Sequence, residues 1–325
     1  MKTNQPNQRH PMKTATSTLL FLLFMAPQTM AQTGELKACR TISDDAQRLA
    51  CYDRIGLSED TANSDQPEPQ AAPTNNHFPA LLADLNEPNL YLSYGRLDFL
   101  GDDFNAFLFG AGIRQSVKDF RWSDDHSLTF NVYGQIRSQF DVDELDTRNN
   151  RGGALINTDF TIGGELVQSL DTWNWRFSYS HRSTHLGDEF IIDNPNYLTD
   201  RLNLSYEVVR WTAHKPLGNW DIYGGLGFIT RSEPGNLAKD MWQLGWQWQG
   251  ALWHNLKPVW AVDLHSWGAY DSAININTRL GVEIQQWTQT PFQVLLEYQD
   301  GHSPYGQFYT EDLTFMGLTL LSNWR

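Results

Sequence analysis

The sequence predicts an all-β protein: a twelve-stranded antiparallel transmembrane β-barrel behind a small helical N-terminal module. Three observations carry that expectation. The first is strict alternation, clearest in Trp173 to His185 (WNWRFSYSHRSTH), where Trp173, Trp175, Phe177, Tyr179, His181 and Ser183 share one face and Asn174, Arg176, Ser178, Ser180 and Arg182 the other. The second is composition. Trp 13, Tyr 12 and Phe 17 are high while mean hydropathy is negative, as in a barrel where only every second strand residue is apolar. The third is the absence, after the N-terminal region, of any run of roughly 20 apolar residues that could cross a membrane as a helix.

From the N-terminus, Arg9 and Lys13 flank an apolar core at Leu19 to Met25, and Thr29-Met30-Ala31 offers small residues for cleavage. Residues 1–31 therefore read as a secretory signal. Their removal takes three positive charges (Lys2, Arg9, Lys13) from a net charge of -14, leaving -17. That balance opposes nucleic-acid binding, because phosphates demand basic surface. Residues 32–56 read as a periplasmic module. Its two cysteines, Cys39 and Cys51, are the only ones in the chain, and an even pair in an exported protein reads as a disulfide. A straight helix would hold them roughly 18 Å apart, so the chain must fold back, at Ser43-Asp44-Asp45, with Ser43 as N-cap of a helix to about Arg54. Residues 57–77 (LSEDTANSDQPEPQAAPTNNH) lack apolar periodicity and read as a disordered linker.

Residues 78–325 read as the barrel. Candidate strands lie near 89–99, 103–115, 127–140, 153–167, 172–184, 198–211, 219–231, 241–253, 258–268, 274–287, 291–299 and 311–324. Connections after strands four, six, eight and ten are short, and most others are longer and polar, the asymmetry between periplasmic turns and outer loops. The connection VKDFRWSDDH after strand two is longer than this scheme predicts. Arg137, Arg176, Arg182, Arg201, Arg279, Asp159, Glu165, Glu207, Asp263, Glu283 and Glu297 fall on inward faces. Charges of both signs there predict a mostly blocked lumen.

His181 and Ser183 share the outward face near the outer end of strand five. Reading strand six outward through Tyr206, Leu204 and Leu202 places Asn196 and Asp200 on the same lipid-facing side. A serine hydrolase needs a nucleophile, a base and a group that orients the base. Ser183, His181 and one of Asn196 or Asp200 are the candidates. His181, His185, Asp188 and Glu189 are an alternative metal set, but residues i and i+4 on a strand lie about 13 Å apart, so the loop would have to curl back. Oxygen ligands from Asp188, Glu189 and Asp193 would suit calcium.

The pair His181-Arg182-Ser183 resembles that of the outer-membrane phospholipase A family. The resemblance implies a lipid-facing acyl hydrolase on a twelve-stranded barrel, calcium, a homodimer, and an Asn (here Asn196) orienting the histidine. Thr184-His185 stand where that family has Asn-Gly. Leu81-Leu82-Ala83-Asp84, Gln139-Phe140-Asp141 and the stretch from His181 to Phe190 (HRSTHLGDEF) resemble domain of unknown function 1207, over about residues 78–324. The run ACRTISDDAQRLACYDR resembles a module ahead of Gram-negative envelope proteins and implies an outer-membrane location. Two other function classes remain: a non-catalytic barrel that binds or organises phospholipid or lipopolysaccharide, and a narrow channel.

Overall fold

In a computed structural model, residues 41–44, 47–48, 51, 78–123, 126–143, 153–195, 197, 204–270, 273–285 and 291–322 are described. The chain divides into two units, residues 1–74 and 75–325. In the first, Asp44 rather than Ser43 caps the helical stretch: its Oδ1 accepts the Gln47 N–H at 2.9 Å. Cys51 is disulfide-bonded, and Cys39 lies outside the described residues, as does the linker.

The second unit is a closed antiparallel barrel in which every strand pairs with its sequence neighbours and β1 closes on β12. The strands are β1 Leu90–Phe99, β2 Asp102–Arg121, β3 Ser127–Asp141, β4 Ala154–Ser169, β5 Asn174–Leu186 and β6 Ser205–Leu217. They continue as β7 Trp220–Glu233, β8 Asp240–Gln249, β9 Leu256–Trp267, β10 Asn275–Ile284, β11 Phe292–His302 and β12 Asp312–Ser322. Every strand has at least the nine or so residues that a tilted membrane crossing requires. No helix among the described residues is long and apolar enough to cross.

Two strand assignments change. The stretch VKDFRW is not a loop: β2 continues to Arg121, paired with β3 through an irregularity at Ser116/Lys118, so the connection shrinks to residues 122–126. That restores the short-turn pattern at this end. Strand β6 starts at Ser205 and runs through His214-Lys215-Pro216, leaving Gly218-Asn219 as the turn. Gly218 has φ +65°, which favours glycine.

The outward wall is apolar, and one end carries a tryptophan band. Trp175 stacks between Trp173 and Trp211, with centroids 5.9 and 4.9 Å away, and Trp260 meets Trp220 at 5.9 Å. All lie towards the short-turn end. Amphipathic rings of this kind favour the membrane–water boundary.

The lumen is closed by main chain as well as side chains. Residues 81–87 thread through it, almost wholly buried. Their carbonyls must find donors away from water. Arg279 donates to Leu82 O (2.6 Å), Asn277 to Ala83 O (2.7 Å) and Arg137 to Leu85 O (2.9 Å). Glu87 sits between Arg114 (2.6 Å) and Arg176 (2.7 Å), and Arg114 also reaches Glu165 at 2.8 Å. Arg137–Asp159 (3.1 Å) and Arg279–Glu297 (2.7 Å) complete the inward pairs. The sequence pattern thus anticipates a filled, charge-paired lumen, but not the segment that fills it. Beside these pairs lies an apolar cluster built from Leu82, Leu97, Phe99, Leu108, Leu295 and Phe315. Replacing Glu87 by Ala strands the Arg176 guanidinium without its carboxylate. Loss of one partner of a buried pair costs about 3–5 kcal/mol, so thermal unfolding of the refolded barrel is expected well below the wild-type midpoint. An unchanged midpoint would remove the ion network from the account of stability.

The end opposite the tryptophan band is capped. Helix α1 (Asp188–Asp193) directs Phe190 onto Tyr197 (5.2 Å) and Phe308 (5.4 Å), and Phe308 meets Phe99 edge-on at 5.0 Å.

Candidate functional site

The alternation read in β5 is the one the barrel adopts. Asn174, Arg176, Ser180, Arg182 and Thr184 are buried towards the lumen, while Phe177 and Tyr179 are exposed and His181 and Ser183 half-exposed on the outer wall. Across β4, Ile162 opposes His181 and Phe160 opposes Ser183. Phe160 also packs edge-on against His185 at 5.6 Å.

Strand β6 faces the other way from the sequence reading. Tyr206 is buried in the lumen, against Leu204, Val208, Ile229 and Trp267. The Arg182 guanidinium lies over its ring at 5.8 Å. Residues of the opposite parity therefore face out: Ser205, Glu207, Val209 and Trp211. Glu207, assigned above to the lumen, is on the membrane-facing wall directly opposite His181 in the ladder. His181 Nδ1 and Glu207 Oε1 are 3.2 Å apart. The side chains are 44% and 18% exposed, so the carboxylate is the more sheltered partner. The outward parity of Tyr206 and Leu204, on which Asn196 and Asp200 were chosen, is thus incorrect. Asn196 and Asp200 themselves lie outside the described residues. The overlooked signal was Trp211: it belongs to the tryptophan band and shares parity with Glu207 four residues earlier.

A carboxylate on the wall of a transmembrane barrel is costly unless paired. Here it is paired with a histidine whose other ring nitrogen remains to act. If Nδ1 carries the proton and donates to Glu207, Nε2 is left as an acceptor for a hydroxyl. The Ser183 hydroxyl, two residues along on the same face, has no hydrogen-bond partner among the described residues. His181 and Ser183 both line an open, mainly apolar groove of about 590 Å³ on the outer wall. The groove runs past Phe160 and Ile162 to Gly134, Ile136, Ala111 and Ile113. It is deep at Gly134, where an added Cβ would have only Thr161 O within 4 Å, at 3.7 Å.

Ladder pairing between β5 and β6 ends, among the described residues, at Ser183↔Ser205. Asp188 and Glu189 are exposed in the first turn of α1, and Asp193 closes it. Among the described residues no group of three or more His, Cys, Asp or Glu side chains is arranged to hold a metal. The alternative set of His181, His185, Asp188 and Glu189 is therefore not brought together. His265 faces the lumen beside Asp263, 3.4 Å away, as the alternation predicts.

The fold and this wall define a class: an outer-membrane β-barrel with an ionisable pair and a serine on its membrane-facing surface. The chain belongs to DUF1207, a protein family of unknown function, which it matches over residues 67–324. No curated protein matches it. Among solved structures it is similar to the calcium-bound dimer of the outer membrane phospholipase of Salmonella typhi. That likeness has a TM-score of 0.51 and 12% identity, covering 73% of this chain and 92% of that one. It is equally similar to outer membrane phospholipase A from Escherichia coli, at TM-score 0.52 and 11% identity, covering 73% and 91%. At such identities the likeness establishes the barrel fold.

Proposed function

We propose that the protein is a serine acyl hydrolase acting on envelope phospholipid from the membrane side of its barrel, with Ser183 as nucleophile, His181 as base and Glu207 orienting His181. The outward His181–Glu207 contact carries this reading, because a half-buried carboxylate on a membrane-facing wall needs a reason to be there. The Ser183 Oγ attacks the ester carbonyl as its proton passes to His181 Nε2. Collapse of the tetrahedral intermediate expels the alcohol, which takes that proton. Water then repeats the sequence on the acyl-enzyme and frees the fatty acid. Glu207 stabilises the imidazolium formed in each half. The 590 Å³ groove takes the acyl chain.

Calcium belongs to this reading by analogy with the Salmonella phospholipase, whose structure holds it. Asp188 and Glu189 are the exposed carboxylates closest along the chain to Ser183. A dimer is the corresponding proposal for assembly.

The test is fatty-acid release from phospholipid micelles by the refolded barrel, with and without calcium. Release establishes the hydrolase. No release by a demonstrably folded barrel transfers the site to lipid or lipopolysaccharide binding, a reading for which Arg231, exposed and opposite Glu207 on β7, offers a cation for phosphate. The groove makes a separate prediction. Gly134 accepts a Cβ without a clash and lines the groove, so with Gly134→Trp turnover of long-chain phospholipid should fall roughly tenfold or more, while a short soluble ester is still cleaved. Equal loss on both substrates would reject the groove as the acyl site.

A further inference from the structure

The lumen arginines among the described residues divide into two sets; Arg201 lies outside them. Arg114, Arg137, Arg176 and Arg279 each form an ion pair with a buried carboxylate. Arg182 and Arg210, on adjacent strands, form none among the described residues. Arg182 is almost wholly buried, yet it meets only neutral groups: Asn86 Oδ1, the Tyr206 ring, and Thr161 Oγ1 at 3.4 Å. The Arg210 side chain has one polar contact, the Met241 thioether sulfur at 3.9 Å, a weak acceptor. A guanidinium carries five N–H donors, so most of these ten find no acceptor among the described residues. Asp84 feels the Arg210 charge but makes no ion pair with it. It is engaged by the Asn86 backbone and side-chain amides at 2.8 and 3.2 Å. Asp263 is occupied by Tyr223, Gln243 and His265.

Both arginines line one cavity of about 60 Å³, which also presents Asn86, Thr212, Gln243 and His265. A single water needs roughly 10–15 Å³, so the space suits four or five heavy atoms, the size of a small tetrahedral anion. Two like charges, Arg182 buried and Arg210 half-buried, converge on one polar space with no counter-ion among the described residues, a costly arrangement because such charges are as a rule paired.

We propose that this cavity is a binding site for a small oxyanion of the phosphate or sulfate class, held by Arg182 and Arg210 inside the barrel. Arg182 lies between His181 and Ser183 in β5 with its side chain on the other side of the wall. The site is therefore separate from the outer groove and stands whether or not the barrel hydrolyses lipid.

The test is thermal unfolding of the refolded full chain in alkyl maltoside micelles, a phosphate-free detergent, with inorganic phosphate titrated against chloride at constant ionic strength. A ligand bound only by the folded state raises the midpoint in a saturable way. The expected result is such a rise with phosphate and not with chloride. Arg210→Met should lower the apparent phosphate affinity at least tenfold, and should unfold at or above the wild-type midpoint without phosphate, since the like charge facing Arg182 across the cavity is gone. Arg182→Gln should show the same loss of affinity, and serves if Arg210→Met does not refold. Equal shifts with phosphate and chloride, or an unchanged phosphate response in the variant, would overturn the proposal. A dihexanoyl phosphatidylglycerol arm separates the sources. The cavity has no room for chains, so a shift produced by this lipid and not by free phosphate would also overturn it, in favour of a headgroup site.

Discussion

Replacing Ser183 by Ala should abolish fatty-acid release while leaving the barrel folded. The substitution removes one oxygen from a half-exposed side chain that makes no hydrogen bond among the described residues, so the folding stability should stay within about 0.5 kcal/mol of wild type. Chemistry should respond very differently. Without the hydroxyl there is no acyl-enzyme, and what survives is the far slower attack of water assisted by positioning and oxyanion donors. In serine hydrolases, loss of the nucleophile costs on the order of 10⁶ in turnover. A drop of at least 10³ in fatty-acid release, with unchanged unfolding, is the expected reading. Retained release would reject Ser183 as nucleophile, and with it the hydrolase assigned to this wall.

The second large effect is expected at Glu207, and it separates the structural reading from the sequence reading. Glu207→Gln keeps the size of the side chain opposite His181 but removes its charge. The imidazolium then loses its stabilising partner, and the amide can present N–H where the ring needs an acceptor. A comparable change in a serine protease triad lowers turnover about 10⁴-fold. Because Glu207 acts through His181 and is not assigned to substrate contact, the loss should fall on kcat with little change in KM. Asn196→Ala and Asp200→Ala should leave kcat within a few-fold. The opposite result, a dead Asn196 or Asp200 variant beside an active Glu207→Gln, would return the orienting role to the loop after β5.

The difference between those candidates shows where one-dimensional reading fails. Strand β5 was legible because its outward residues, Trp175, Phe177 and Tyr179, are aromatic and its inward residues polar. Strand β6 was not, because both of its faces carry apolar groups. Tyr206 and Val208 pack in an internal cluster, while Val209 and Trp211 face out. An aromatic residue there does not report its side. With a period of two, one misassigned residue moves every side chain to the other face. For that reason the alternation alone assigns Glu207 to the lumen, although it faces out opposite His181.

Sequence alone determined the architecture: alternating strands rich in aromatic residues, an even strand count, short turns at one end, and paired charges on inward faces. These are repeated, local signals, and each strand corroborates the others. It also placed His181 and Ser183 on one outward face, since two residues on one strand need no other element to align them. Three matters were decided only in the tertiary structure. One is the threading of residues 81–87 through the lumen, where arginines from distant strands meet their carbonyls. Another is the pairing of His181 with Glu207, which depends on the register between β5 and β6. The last is that Arg182 and Arg210, among the described residues, lack the carboxylate partners that four other lumen arginines have. Each depends on contacts between residues far apart in sequence or on neighbouring strands. Periodicity fixes the side of the wall a residue takes, and closure of the barrel decides what it meets there.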